Sequence, residues 1–118
     1  MVLLRHELPE GSWHFDWMLE RPGSGASALR TFRVLVRPDH APEFPAESLP
    51  DHRRIYLHYE GPVSNNRGHV TRVAAGEVEL LDERPDRIEI VGELAGRRAR
   101  WQGRATPDGR WLFTSSAL

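Results

Sequence analysis

The chain has no cysteine and no lysine. Without cysteine there are no disulfides, no thiolate nucleophile and no cysteine-based zinc or iron–sulfur site. Any metal must then be held by histidine, aspartate or glutamate, and 6 histidines are available in 118 residues. Without lysine, all 16 basic residues are arginine, each a bidentate fork for phosphate or carboxylate. GC-rich coding explains an all-arginine set by itself, and is the favoured reading. No stretch approaches the roughly 20 apolar residues of a transmembrane helix. The start Met1-Val2-Leu3-Leu4-Arg5-His6 is too short for a secretory core and ends in charge, so a cytoplasmic location is expected, with no membrane partner.

The formal net charge is −1, which argues against a protein that coats nucleic acid by bulk electrostatics. The charge is uneven, however. Glu77 to Glu93 is acidic, whereas Arg97, Arg98, Arg100, Arg104 and Arg110 stand against Asp108 alone. The length fits one domain, residues 1–118, and not two with separate cores.

Nine prolines and ten glycines separate short segments that alternate in period two. Trp13, Phe15, Trp17 and Leu19 alternate with His14, Asp16, Met18 and Glu20, and Ile88 and Ile90 with Arg87, Glu89 and Val91. Strands are predicted near 1–6, 13–20, 28–36, 53–60, 68–74, 77–82, 87–93, 97–104 and 110–115. Turns are predicted at Pro22–Gly25, Ser64–Gly68, Ala95-Gly96 and Pro107–Gly109. Helix is allowed only as a turn or two between Pro38 and Pro50. The predicted fold is mainly β: a small antiparallel β-barrel of eight or nine short strands.

On a strand, His14 and Asp16 leave the same face about 6.7 Å apart, a spacing from which two ligands reach one ion. Imidazole plus carboxylate suits Mn²⁺, Zn²⁺ or Fe²⁺. His6 closes the preceding strand, and Pro9-Glu10-Gly11-Ser12 is a turn that returns it beside His14. If the 53–60 strand starts at His52, then His52, Arg54, Tyr56, His58 and Glu60 share one face. Brought together, these groups suit metal-assisted attack on a phosphate ester. A polar outer face that merely touches water fits the same spacing, and both readings stand at this point.

Arg5-His6, His14-Phe15-Asp16, Leu19-Glu20, Leu29-Arg30-Thr31-Phe32, Asp51-His52, Tyr56, Tyr59-Glu60-Gly61, Gly68-His69-Val70 and Gly92-Glu93-Leu94-Ala95-Gly96 occur in that order. This series resembles the 3′-phosphoesterase domain of bacterial DNA ligase D, which trims 3′ ends in non-homologous end joining. The resemblance implies a compact β-barrel, a site built for Mn²⁺ (Zn²⁺ or another transition metal being the alternative), and removal of a 3′-ribonucleoside and then a 3′-phosphate. It puts His6, His14 and Asp16 at the metal, and His52 and Tyr56 at the phosphate. Nucleic-acid 3′ ends become the expected partners, with a separate ligase or polymerase alongside a monomeric protein.

Two family arginines are replaced, by Met18 and by Phe44. Among the candidates to substitute, Arg30, Arg33, Arg54 and Arg67, Arg54 is preferred because it shares the predicted face of His52 and Tyr56. The competing expectation is a non-catalytic relative that binds nucleic acid or a protein partner. A small-ligand barrel comes third. Trp101 and Trp111 are expected in the core rather than as stacking platforms.

Overall fold

The computed structural model describes residues 1–22 and 29–118. The predicted turn at Pro22–Gly25 and the first residue of the predicted 28–36 strand lie wholly or largely outside them. Ten strands form one antiparallel sheet: β1 Val2–Glu7, β2 Trp13–Glu20, β3 Leu29–Val34, β4 Glu43–His52, β5 Gly61–Pro62, β6 His69–Ala75, β7 Val78–Arg84, β8 Arg87–Leu94, β9 Arg97–Ala105 and β10 Trp111–Ala117. Their order is β5-β6-β1-β2-β3-β4-β10-β9-β8-β7. The mainly β, antiparallel class is as predicted. The sheet does not close by strand pairing between β5 and β7, so it is barrel-like only in the loose sense of a rolled sheet.

The roll is drawn together at a seam. Gly76 N–H donates to Met1 O at 3.1 Å, and Ala95 N–H to Ala75 O at 3.3 Å. Only glycine fits at position 76, where a Cβ would stand 1.6 Å from the Glu93 carbonyl oxygen. Arg21, just past β2, grips Glu83 of β7 through Nε and Nη2, both at 2.7 Å, and also pairs with Asp51 near the end of β4.

Inside the roll, period two delivers the aromatic residues that the sequence alternates. Trp17, Phe32, Phe44, Trp101, Trp111 and Phe113 join Leu3, Leu19, Ile88 and Ile90 in one core. Trp17 meets Phe44, Trp101 and Phe113 edge-on with centroids 6.0, 5.6 and 5.2 Å away, contacts that each add about 0.5–1.5 kcal/mol beyond burial. The Trp101 indole N–H donates to Pro38 O at 3.0 Å, which lets so large a polar-tipped ring be fully buried. Both Trp101 and Trp111 are thus core residues, as predicted.

Two adjacent predictions exchange places. The 38–50 region holds no helix among its described residues; most of it is β4. Phe44 and Ala46 point inward while Glu43, Pro45 and Glu47 point out, a period-two pattern hidden by the prolines. Conversely, 53–60 is no strand. Arg54–Leu57 is a 3₁₀ turn, with Tyr56 N–H donating to Arg53 O and His58 N–H to Ile55 O, each at 3.1 Å. The turn wins because Tyr56, Leu57 and Tyr59 fold onto the outer face of β1, β2, β3 and β6. There they cover Val2, Leu4, Met18, Leu29 and Val70 in a second, smaller core. Both faces of the β1–β2 hairpin are therefore buried. Among the described residues no helix is long and apolar enough to cross a membrane.

Candidate metal centre

The tight turn between β1 and β2, with Leu8 N–H donating to Ser12 O at 2.8 Å, sets His6 directly opposite His14. Asp16 lies two residues farther along β2 on the same face, so strand geometry alone gathers three ligand types at one end of the hairpin. One donor atom from each of His6, His14 and Asp16 lies within 4.8 Å of the others. The Asp16 and His14 side chains are 4% and 6% exposed, and His6, at 16%, is the most open of the three.

The orientation of each group is fixed by what it touches. Arg67 O is 2.7 Å from His6 Nε2, and a carbonyl can only accept, so Nε2 carries the proton. A neutral His6 then turns its Nδ1 lone pair toward Asp16 Oδ2, 3.2 Å away. His14 Nε2 approaches Asp16 Oδ1 at 3.0 Å, yet Oδ1 is buried and satisfies no hydrogen-bond geometry. Lone pairs aimed at one another at this range need a proton or a cation between them. A ligating histidine usually donates its other ring N–H to a backbone carbonyl, as His6 does here. The donor set and the orphaned carboxylate oxygen therefore fit a small divalent cation.

Without a cation, protons do part of that work. Burial would raise the Asp16 carboxyl, but the close imidazoles of His14 and His6 outweigh it and bring it down to about 2. Its hydrogen bond to Asp16 holds the His6 imidazole above the usual range, against the cost of burial.

Beside the cluster opens a cleft of ≈ 370 Å³ whose walls include His6, Asp16, His52, Arg53, Tyr56 and Arg67. His52 comes from the end of β4 and Tyr56 from the 3₁₀ turn, their rings 5.8 Å apart. His52 Nδ1 donates to Pro50 O at 2.9 Å, leaving Nε2 as the nitrogen free to exchange protons. The pairing of Arg21 with Asp51 anchors the strand end that carries His52.

Arg54 does not line this cleft. On a 3₁₀ turn it no longer shares a face with His52 and Tyr56, and its Nη2 pairs with Glu20 Oε2 at 3.3 Å. The cleft arginines are Arg53 and Arg67, and the Arg67 guanidinium is already tied to Ser64 O at 2.8 Å and Ser64 Oγ at 3.0 Å. Arg30 is turned elsewhere, its guanidinium over the Phe32 ring at 4.1 Å. Met18 lines the cleft floor but belongs to the second core, and Phe44 lies inside the roll stacked on Phe113. Arg53 carried no sequence signal beyond its place beside His52; only the turn brings it in.

No protein-family model matches this chain, and no curated protein matches it. Neither comparison bears on the ligase D resemblance, and the site is described from its own geometry. Arg97, Arg98, Arg100 and Arg104 lie on β9 next to acidic β8, and Arg100 pairs with Glu89, which accounts for part of that basic run. Asn65 and Asn66 both have positive φ, 61° and 53°, as turn residues ahead of Gly68.

Proposed function

We propose that this protein is a divalent-metal-dependent phosphoesterase that hydrolyses 3′-phosphate or 3′-ribonucleoside ends of nucleic acid, with Mn²⁺ as its metal. The observation that carries the reading is the convergence of His6, His14 and Asp16 on one point beside a cleft lined by His52, Tyr56 and Arg53. A bound ion supplies Lewis-acid polarisation of a phosphoryl oxygen and a more acidic bound water. His6, His14 and Asp16 would hold it. Arg53, which forms no ion pair among the described residues, provides positive charge at the cleft wall. The Tyr56 phenol lines the same cleft as a hydrogen-bond partner for a phosphate oxygen. His52, with Nδ1 committed to Pro50 O, donates or takes a proton only through Nε2. Such an enzyme would prepare ends for a separate ligase or polymerase in DNA repair.

The test is hydrolysis of a 3′-phosphate oligonucleotide by Mn²⁺-loaded protein, with a ligase D phosphoesterase domain run in parallel. His14→Ala is expected to abolish both metal uptake and phosphate release. An intact substrate beside an active control would defeat the enzymatic reading.

A second reading has its own support. Met18, buried at the cleft floor where the ligase D pattern has an arginine, favours a non-catalytic relative that binds nucleic acid. Salt-sensitive DNA binding indifferent to chelator and to Asp16→Ala would select it.

A further inference from the structure

Arg33 of β3 stands opposite Asp16 on β2 and opposite Glu47 on β4, so all three leave the outer face of the sheet. Its Nε is buried and has no hydrogen-bond partner. Among the described residues Arg33 forms no ion pair, although neighbouring arginines such as Arg21, Arg30 and Arg37 each hold a carboxylate. A guanidinium keeps its charge at any physiological pH. A buried N–H left unmatched is costly, and each one in a native structure calls for a partner such as a water or an ion, or for a functional role.

The surroundings say what that would be. A second cleft, of ≈ 250 Å³, is lined by Ser12, Trp13, His14, Arg33, Glu47 and Arg110 among others. It shares His14 with the metal cluster, whereas His6 and Asp16 face the first cleft. The cluster therefore has a cleft on each side. Two guanidinium groups oppose the single carboxylate of Glu47 here, which leaves a net positive wall. The fork of an arginine matches two oxygens of a tetrahedral oxyanion. Trp13 is 43% exposed at the same place and offers an apolar surface to the group that a phosphate carries.

We propose that Arg33 is a phosphate-binding residue of this site, holding the oxyanion of a phosphate ester that enters by the cleft on the His14 side. The proposal deepens the phosphoesterase reading and rests on it for the metal. Its test needs no turnover: Mn²⁺-loaded protein is titrated with inorganic phosphate by calorimetry, and Mn²⁺ affinity is measured separately. Arg33→Gln is expected to weaken phosphate at least tenfold while Mn²⁺ affinity stays within about threefold, since charge-assisted hydrogen bonds of this kind span roughly one to two decades in affinity. Arg33→Lys keeps the charge but not the fork and should fall between. It also keeps the test readable if the glutamine variant folds poorly.

Wild-type phosphate affinity in Arg33→Gln, with Arg53→Gln taking the loss instead, would overturn the assignment. So would an equal loss of Mn²⁺, which marks a purely structural role, or no phosphate binding by the wild type. The two readings fail separately. Arg33-dependent phosphate binding without hydrolysis of a 3′-phosphate oligonucleotide removes the enzyme and leaves this site. Hydrolysis together with phosphate affinity that ignores Arg33 removes this site and leaves the enzyme.

Discussion

The Arg67 carbonyl accepts the Nε2–H of His6 at 2.7 Å, although the two stand 61 positions apart in the chain. That one bond sets the tautomer of His6, aims Nδ1 at Asp16 and ties the 63–68 loop to the cluster of His6, His14 and Asp16. The loop is braced in turn by Val63 N–H donating to Gly68 O at 2.8 Å and by the Arg67 guanidinium on Ser64. The orientation of one candidate ligand thus depends on a loop that contributes none.

Gly68 is where that dependence is most easily broken. Its φ is +98°, and a Cβ there would stand 2.0 Å from the backbone oxygen of Glu7, next to His6. Gly68→Ala should displace the loop and cost about 1–3 kcal/mol of stability. Losing the His6 tether should lower metal affinity a further 10–100-fold. Thermal melts paired with Mn²⁺ titration check this; unchanged affinity would mean that the tether does not orient His6.

Metal should stabilise the fold through the cluster alone. At a metal concentration a hundredfold above Kd, the expected gain is about 2.7 kcal/mol, seen as a rise in Tm of several degrees that chelator reverses. His14→Ala or Asp16→Ala should erase the rise. A rise that survives both substitutions would put the ion elsewhere.

Met18 is 1% exposed and packs with Val2, Leu4, Leu29 and Val70 beneath Tyr56. Met18→Leu conserves volume and should cost less than about 1.5 kcal/mol. Met18→Arg would force a charge into this apolar layer and should cost several kcal/mol. Equilibrium denaturation separates them. If Met18→Arg folds as stably as the parent and gains phosphate affinity, the layer under the 3₁₀ turn is looser than its burial implies.

The metal-free protein should lose stability on both sides of a mid-acid optimum. The Asp16 carboxyl sits at about 2 in the folded state against 3.8 ordinarily. Its contribution, on the order of 2 kcal/mol, is therefore present above pH 3.8 and lost as pH falls toward 2. His6 is raised above 6.5, so its contribution is present below that pH and lost as pH rises through the higher folded value. Asp16→Asn should flatten both limbs in chelator, and added Mn²⁺ should remove the alkaline one. Denaturant midpoints across pH 2–9 would show it; identical profiles for parent and Asp16→Asn would discard this account.

Local chemistry already determined much of this protein. Period-two alternation in Trp13–Glu20 sent Trp17 and Leu19 to the core and put His14 and Asp16 on the opposite face. The turn at Pro9–Ser12 was enough to seat His6 beside His14, because adjacent antiparallel strands pair by nearest neighbours in sequence. What sequence did not determine lay in the stretch from Glu43 to Glu60. Prolines masked a strand there, and a short alternating run imitated one. Both were decided by which apolar surface needed covering: the inward face of β4 completes the main core, and the 3₁₀ turn seals Met18 and its neighbours. That choice is made between segments far apart in the chain. Hence Arg54, promising on an imagined strand, ends against Glu20, while Arg53 and the Arg67 carbonyl reach the site and Arg33 is left without a partner.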